Sequence, residues 1–177
     1  MTTDPKLLNR LLDEPYGYDF FQAVSLLEQL LPDRASVGEY AVPDEEVVRF
    51  ETSTPVGFPA SEIQALSENG ADEPLRMVVN FLGLTGPQGV MPLDYSLYAA
   101  QRIRAGDRGF KDFLGLFDHR IISLFYRAWA KTHAGIGFGE GDSRDWLTKQ
   151  LLNIVGLGTP GLQARLAVSD EQLLYFA

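Results

Sequence analysis

The chain has no cysteine and only two histidines, no block of basic residues, and no apolar run long enough to cross a membrane. Without cysteine there is neither a disulfide nor thiolate chemistry, which suits a reducing cytoplasm. His119 and His133 would need carboxylates from several segments to complete a zinc site, and no H-E-x-x-H or comparable spacing appears, so no metal and no cofactor are expected. Lysine and arginine number 15 against 24 acidic residues, a net charge of −9. That balance disfavours a nucleic-acid duplex or an anionic membrane surface as the main partner. The amino terminus, Met1 to Asp13, lacks the apolar core of a signal peptide, and the whole reads as a soluble domain.

The 177 residues suffice for one core that buries roughly 70% of the unfolded surface. Asp4-Pro5 starts a short helix with Leu7, Leu8, Leu11 and Leu12 on one face. Asp19 caps a second helix that carries Phe20, Val24, Leu27 and Leu31 and stops at Pro32, giving an amino-terminal hairpin over 1–32. From Pro43 the period becomes two. Val47 to Thr52 and Leu75 to Phe81 read as strands, while Ser61 to Leu66 fits either a strand or a helical turn. A loop from Gly83 to Pro92, half glycine and proline, leads to a helix from Leu93 to Arg104. The glycines at 135, 137, 139 and 141 predict a mobile stretch. Ser143 opens a helix closed by Gly156, and Ser169 with Gln172 has capping-box spacing ahead of Leu173 to Phe176. The expected fold is α+β and helix-dominated, a small, mostly antiparallel sheet packed beside several helices. Its core region spans 43–177 and is expected to continue into a carboxy-terminal part beyond this chain.

Catalytic patterns are weak. The glycine loop follows a strand and precedes a helix, the setting of a phosphate cradle, and a small ligand- or phosphate-binding domain is the alternative function. However, Gln88 stands where a P-loop needs glycine, and the Gly83, Gly86, Gly89 spacing misses G-x-G-x-x-G. Asp118, His119 and Ser123 have the residue types of a hydrolytic trio, yet a helix interior offers no oxyanion donors. Asp44, Glu45, Glu46 and the Asp72-Glu73 pair read as solvated loops.

The most informative segment is Phe110 to His133, apolar around more than half its circumference. Phe110, Phe113, Leu114, Phe117, Ile121, Leu124, Phe125 and Ala128 form one stripe at three-and-four spacing, expected to face the core. On that reading, alanine at Leu124 or Phe125 costs about 2 to 5 kcal/mol. Ile122, Tyr126 and Trp129 form a second row. Tyr126 and Trp129, with Val90 and Met91 of the glycine loop, are the expected partner contacts, since aromatic residues and methionine are favoured at interface centres.

Three blocks carry a family resemblance: V-R-F-E-T-S-T-P-V-G-F-P-A-S-E-I from Val48 to Ile63, V-N-F-L-G-L-T-G-P-Q-G-V-M-P-L from Val79 to Leu93, and F-D-H-R-I-I-S-L-F-Y-R-A-W-A-K from Phe117 to Lys131. G-L-G-T-P-G-L from Gly156 and L-L-Y-F-A at the end extend it. Together they resemble the TssG family, also called ImpH or VasB, of the bacterial type VI secretion baseplate. One departure is Asp94 before Tyr95, where the family often has histidine. The resemblance implies a non-enzymatic structural subunit that forms a wedge with TssF-type subunits, docks TssK-type adaptors and supports assembly of the contractile tail. It also implies a cytoplasmic location at the inner face of the inner membrane, and a longer protein of which this is the amino-terminal portion.

Overall fold

A computed structural model of the protein describes residues 5–39, 42–54, 57–70, 72–133, 146–159, 161–163, 165 and 167–176. They fall into two compact units, Met1–Ala128 and Trp129–Ala177.

In the first unit, α1 (Pro5–Asp13) and α2 (Phe20–Leu30) are joined by a 3-10 turn at Pro15–Gly17. The first N–H groups of α2 have no partner within the helix, and carboxylates supply them. Asp19 Oδ1 accepts from Phe21 N at 2.9 Å and Gln22 N at 3.4 Å, as the capping pattern predicts. Glu62 Oε2 accepts from Phe20 N at 3.0 Å.

Among the described residues the sheet has three strands, β1 (Val48–Thr52), β2 (Ile63–Ser67) and β3 (Leu75–Val79), in the order β1-β3-β2. It is mixed: β2 and β3 pair antiparallel, whereas β1 and β3 run parallel, with Val48 opposite Leu75 and Thr52 opposite Val79. The small sheet of the expected α+β fold is present, but it is mixed rather than mostly antiparallel. Parallel neighbours need a long connection. Residues 53–74 provide it and spend part of their length as β2 on the far edge of β3. The ambiguity at Ser61 to Leu66 resolves as a strand with a bulge between Ile63 and Ala65. The extra residue lets Ile63 and Leu66, three apart, both turn inward, which is why strict alternation is missing there. The core gathers on Phe20, whose ring centroid lies 4.8 Å from that of Phe81, 5.5 Å from Phe50 and 6.4 Å from Tyr126.

Two helices follow the sheet, α3 (Leu93–Arg104) and α4 (Gly109–Thr132). Between them Asp107 accepts from Gly109 N at 2.9 Å and pairs with Arg102, which together hold its carboxyl below the usual range.

In the second unit α5 (Trp146–Val155) ends as expected at Gly156, φ +87°. Gly156 N donates to Asn153 O at 3.1 Å and Leu157 N to Leu152 O at 2.8 Å, the paired bonds of a Schellman cap. Ser169 Oγ accepts from Gln172 N at 3.4 Å at the head of α6 (Asp170–Phe176). The helix start at Ser143 and the glycines at 135 to 141 lie outside the described residues.

Candidate functional site

β1 is an edge strand, and an edge presents donors and acceptors that need covering. Helix α4 covers it with polar side chains. Phe50 N donates to His119 Nδ1 at 3.2 Å, which fixes the ring as the Nε2–H tautomer; Nε2 then lies 3.4 Å from Glu46 Oε2. Glu46 Oε1 accepts from Gly38 N at 3.2 Å. Beside His119, Asp118 Oδ2 accepts from the Thr52 hydroxyl at 2.9 Å and Oδ1 from Leu84 N at 2.8 Å. Lys111 Nζ donates to Thr52 Oγ1 and stands 4.0 Å from Asp118 Oδ2. Asp118 and Ser123 are 0% exposed, Lys111 5% and His119 6%. Burial pushes the Lys111 ammonium below its ordinary pKa, with Asp118 and Glu51 pulling the other way.

This chemistry is directed at the protein's own interior, backbone and side chain alike. Ser123 Oγ donates to His119 O at 2.7 Å rather than to the imidazole, and both Asp118 oxygens engage Thr52 and Leu84. Asp118, His119 and Ser123 are thus neighbours in space without forming a nucleophile, base and acid relay. Lys111, Thr52 and Glu46 are the members that sequence reasoning missed. Glu46, expected in a solvated loop, is 1% exposed, because a parallel bridge between Ala35 and Glu46 holds it against the segment that carries Gly38. The available signal for Lys111 is its seven-residue spacing from Asp118, which puts the two on one helical row.

The glycine loop is tied into the same cluster. Its amides donate internally: Leu84 N to Asp118, Gly86 N to Ser96 Oγ at 3.2 Å, Val90 N to Gly83 O at 3.2 Å and Met91 N to Leu84 O at 3.0 Å. A phosphate cradle needs such donors free. Glycine is required here by close approach, since a Cβ at Gly83 would meet Thr52 Cγ2 at 2.2 Å and one at Gly86, φ +107°, would meet Ser53 O at 2.2 Å. Val90 is 76% exposed and Met91 half-buried. A nearby depression of about 370 Å3, bordered by Tyr16, Phe58, Pro59 and Pro87, has no acid, histidine, lysine or arginine in its lining among the described residues. Nor do those residues contain a group of three or more histidine or acidic side chains placed to hold a metal.

The outward side of α4 is the apolar one. Phe113, Leu116, Phe117, Ile121, Leu124 and Phe125 are 42% to 59% exposed, while Leu114, Ile122 and Tyr126 are buried. Of the stripe expected to face the core, Leu114 does so, whereas Phe113, Phe117, Ile121, Leu124 and Phe125 do not, and it is Ile122 and Tyr126 of the second row that are buried. Leu124 and Phe125 are not core, although Phe125 is partly covered by Phe21 and Phe81 at 5.5 and 6.0 Å. Tyr126, expected at a partner contact, is 2% exposed and its hydroxyl donates to Glu28 Oε2 at 2.9 Å. The physical reason is the edge of β1. Its Phe50 N–H, and Leu84 N–H beside it, require acceptors, and only the Asp118-His119 side of α4 supplies them. Trp129 is half-buried and stacks on His133, with centroids 4.4 Å apart.

Among the described residues no helix is long and apolar enough to cross a membrane. Neither the curated proteins nor the solved structures provided a match. The family model described as type VI secretion, TssG, matches residues 14–177. That match spans the sheet, the glycine loop and all of α4, and the chain belongs to the type VI secretion TssG family, a structural family of the secretion baseplate.

Proposed function

We propose that the protein is a wedge subunit: it joins TssF-type subunits, docks TssK-type adaptors, and in doing so supports assembly of the contractile tail. The observation that carries this reading is the family match over residues 14–177. It acts without catalysis or cofactor, in the cytoplasm at the inner face of the inner membrane. The inward-directed hydrogen bonds of Asp118, His119 and Ser123 support a structural role, because each group is committed to holding the fold. Val90, Met91 and Trp129 remain proposed contacts. Tyr126 leaves that set, being packed against the core.

The test is co-expression with the TssF-type and TssK-type subunits, followed by size-exclusion chromatography with light scattering. The expected result is a complex containing all three chains. Elution of this chain by itself, with the other two associating without it, would overturn the reading.

A further inference from the structure

Phe113, Phe117, Ile121 and Leu124 succeed one another at intervals of four, four and three residues and are all exposed. They form a straight apolar stripe about 16 Å long, given a rise of ~1.5 Å per residue. One row over stand Arg120 and Arg127. Both are held in place by the same carbonyl, Gly38 O, at 3.4 and 2.7 Å, and both remain exposed. After Asp112 the exposed charges of α4 are Arg120, Arg127 and Lys131, all cationic, on a chain of net charge −9.

We propose that this stripe docks a single amphipathic helix of another polypeptide, apolar along one face and carrying carboxylates along the edge that meets Arg120 and Arg127. The proposal rests on the baseplate reading for the existence of partner chains. A stripe at three-and-four spacing on a helix is complementary to the ridges of a second helix, not to a sheet edge. Guanidinium groups already fixed by Gly38 O lose less freedom on meeting a carboxylate, and their charge selects the acidic partner. Pairing of α4 with α4 of a second copy would set like charges against each other and is disfavoured by the same edge.

The test places the photo-crosslinker p-benzoylphenylalanine at position 117 of the full chain, produced together with the TssF-type and TssK-type subunits, and identifies the cross-linked peptide by mass spectrometry. The expected product joins position 117 to an amphipathic helical segment of another chain with carboxylates at its edge. Arg120→Glu with Arg127→Glu is expected to lower its yield about tenfold without changing the melting temperature. If that pair lowers the melting temperature, Arg120→Gln with Arg127→Gln removes the charge alone and is expected to lower the yield by a smaller factor. A product within this chain or between its copies, a partner segment lacking acids, no product, or a yield indifferent to the loss of charge would each overturn the proposal. Co-purification of the subunits is read separately: a complex that forms without the cross-link leaves the baseplate reading standing and removes this inference.

Discussion

The two sides of α4 divide labour in opposition to their chemistry. The side facing the sheet carries Lys111, Asp118, His119 and Ser123 among its buried residues, whereas the side turned away carries Phe113, Phe117, Ile121 and Leu124. Apolar area favours burial by about 25 cal/mol per Å2, so a helix placed by hydrophobicity alone would turn the other way. The inward side wins because it answers backbone donors that cannot be left unpaired. An unsatisfied buried N–H costs about 1 to 3 kcal/mol, and more where a charge is involved. Phe50 N and Leu84 N are both met by α4 side chains. One side is thus specified by hydrogen bonds and holds the fold; the other is left to associate.

Removing Asp118 should break the comparison most directly. Asp118→Ala strips acceptors from Thr52 and Leu84 and leaves the buried Lys111 ammonium without its nearest carboxylate. Loss of one member of a buried ion pair costs about 3 to 5 kcal/mol, enough to unfold much of the first unit in a urea titration. A loss below about 1 kcal/mol would show that the cluster is not what orients α4.

Gly86→Ala ranks next. The added Cβ meets a backbone oxygen, Ser53 O, at 2.2 Å in a residue already at positive φ, and relief requires the loop to move off β1. The expected cost is about 2 to 3 kcal/mol by thermal melt. Tyr126→Phe is smaller, about 1 to 2 kcal/mol, because it keeps the ring in the core and removes only the hydroxyl that donates to Glu28. Stability unchanged by Tyr126→Phe would mean that water replaces that bond.

Lys111 gives a finer test through pH. Its pKa in the folded protein lies below the ordinary 10.5, with burial the leading cause. Between the folded value and 10.5 the unfolded chain binds more protons, so stability attributable to Lys111 rises with pH, is complete above 10.5, and is lost as pH falls through the folded value. The wild type should therefore gain on Lys111→Met as the solution becomes alkaline, measured as the difference between paired urea titrations. A difference that stays flat would show an ammonium still in contact with water.

Much of this fold was legible locally. Asp19 caps α2, α3 spans Leu93 to Arg104, and Gly156 and Ser169 act at helix ends as their residue types suggest, because caps depend on neighbours in sequence. Pairing and facing were less legible. Whether β1 meets β3 parallel or antiparallel depends on where the intervening chain goes, and neither strand's pattern records it. The same holds for α4. Its period shows a helix with two kinds of side, but the demand that decided between them sits on Phe50 and Leu84, in backbone groups that every sequence shares. Asp118 and His119 stand out in the sequence as catalytic residue types, while their strand-facing role depends on β1 lying at an edge.

The smallest effect on folding is expected where the apolar pattern looks strongest. Full burial of a phenylalanine contributes about 1.5 to 3 kcal/mol, and Phe117, half-exposed, has its ring 5.3 Å from that of the equally outward Phe113. Phe117→Ser should therefore cost no more than about 1 kcal/mol in the isolated chain, and Leu124→Ser a similar amount. Asp118, one residue from Phe117, is expected to be several times more sensitive, which is the contrast in its sharpest form. The same two changes remove exposed apolar area, so retention of the isolated chain on a hydrophobic-interaction column should fall. If Phe117→Ser instead unfolds the first unit as readily as Asp118→Ala, the aromatic side of α4 is covered within the folded chain, and the division between a holding side and an associating side fails.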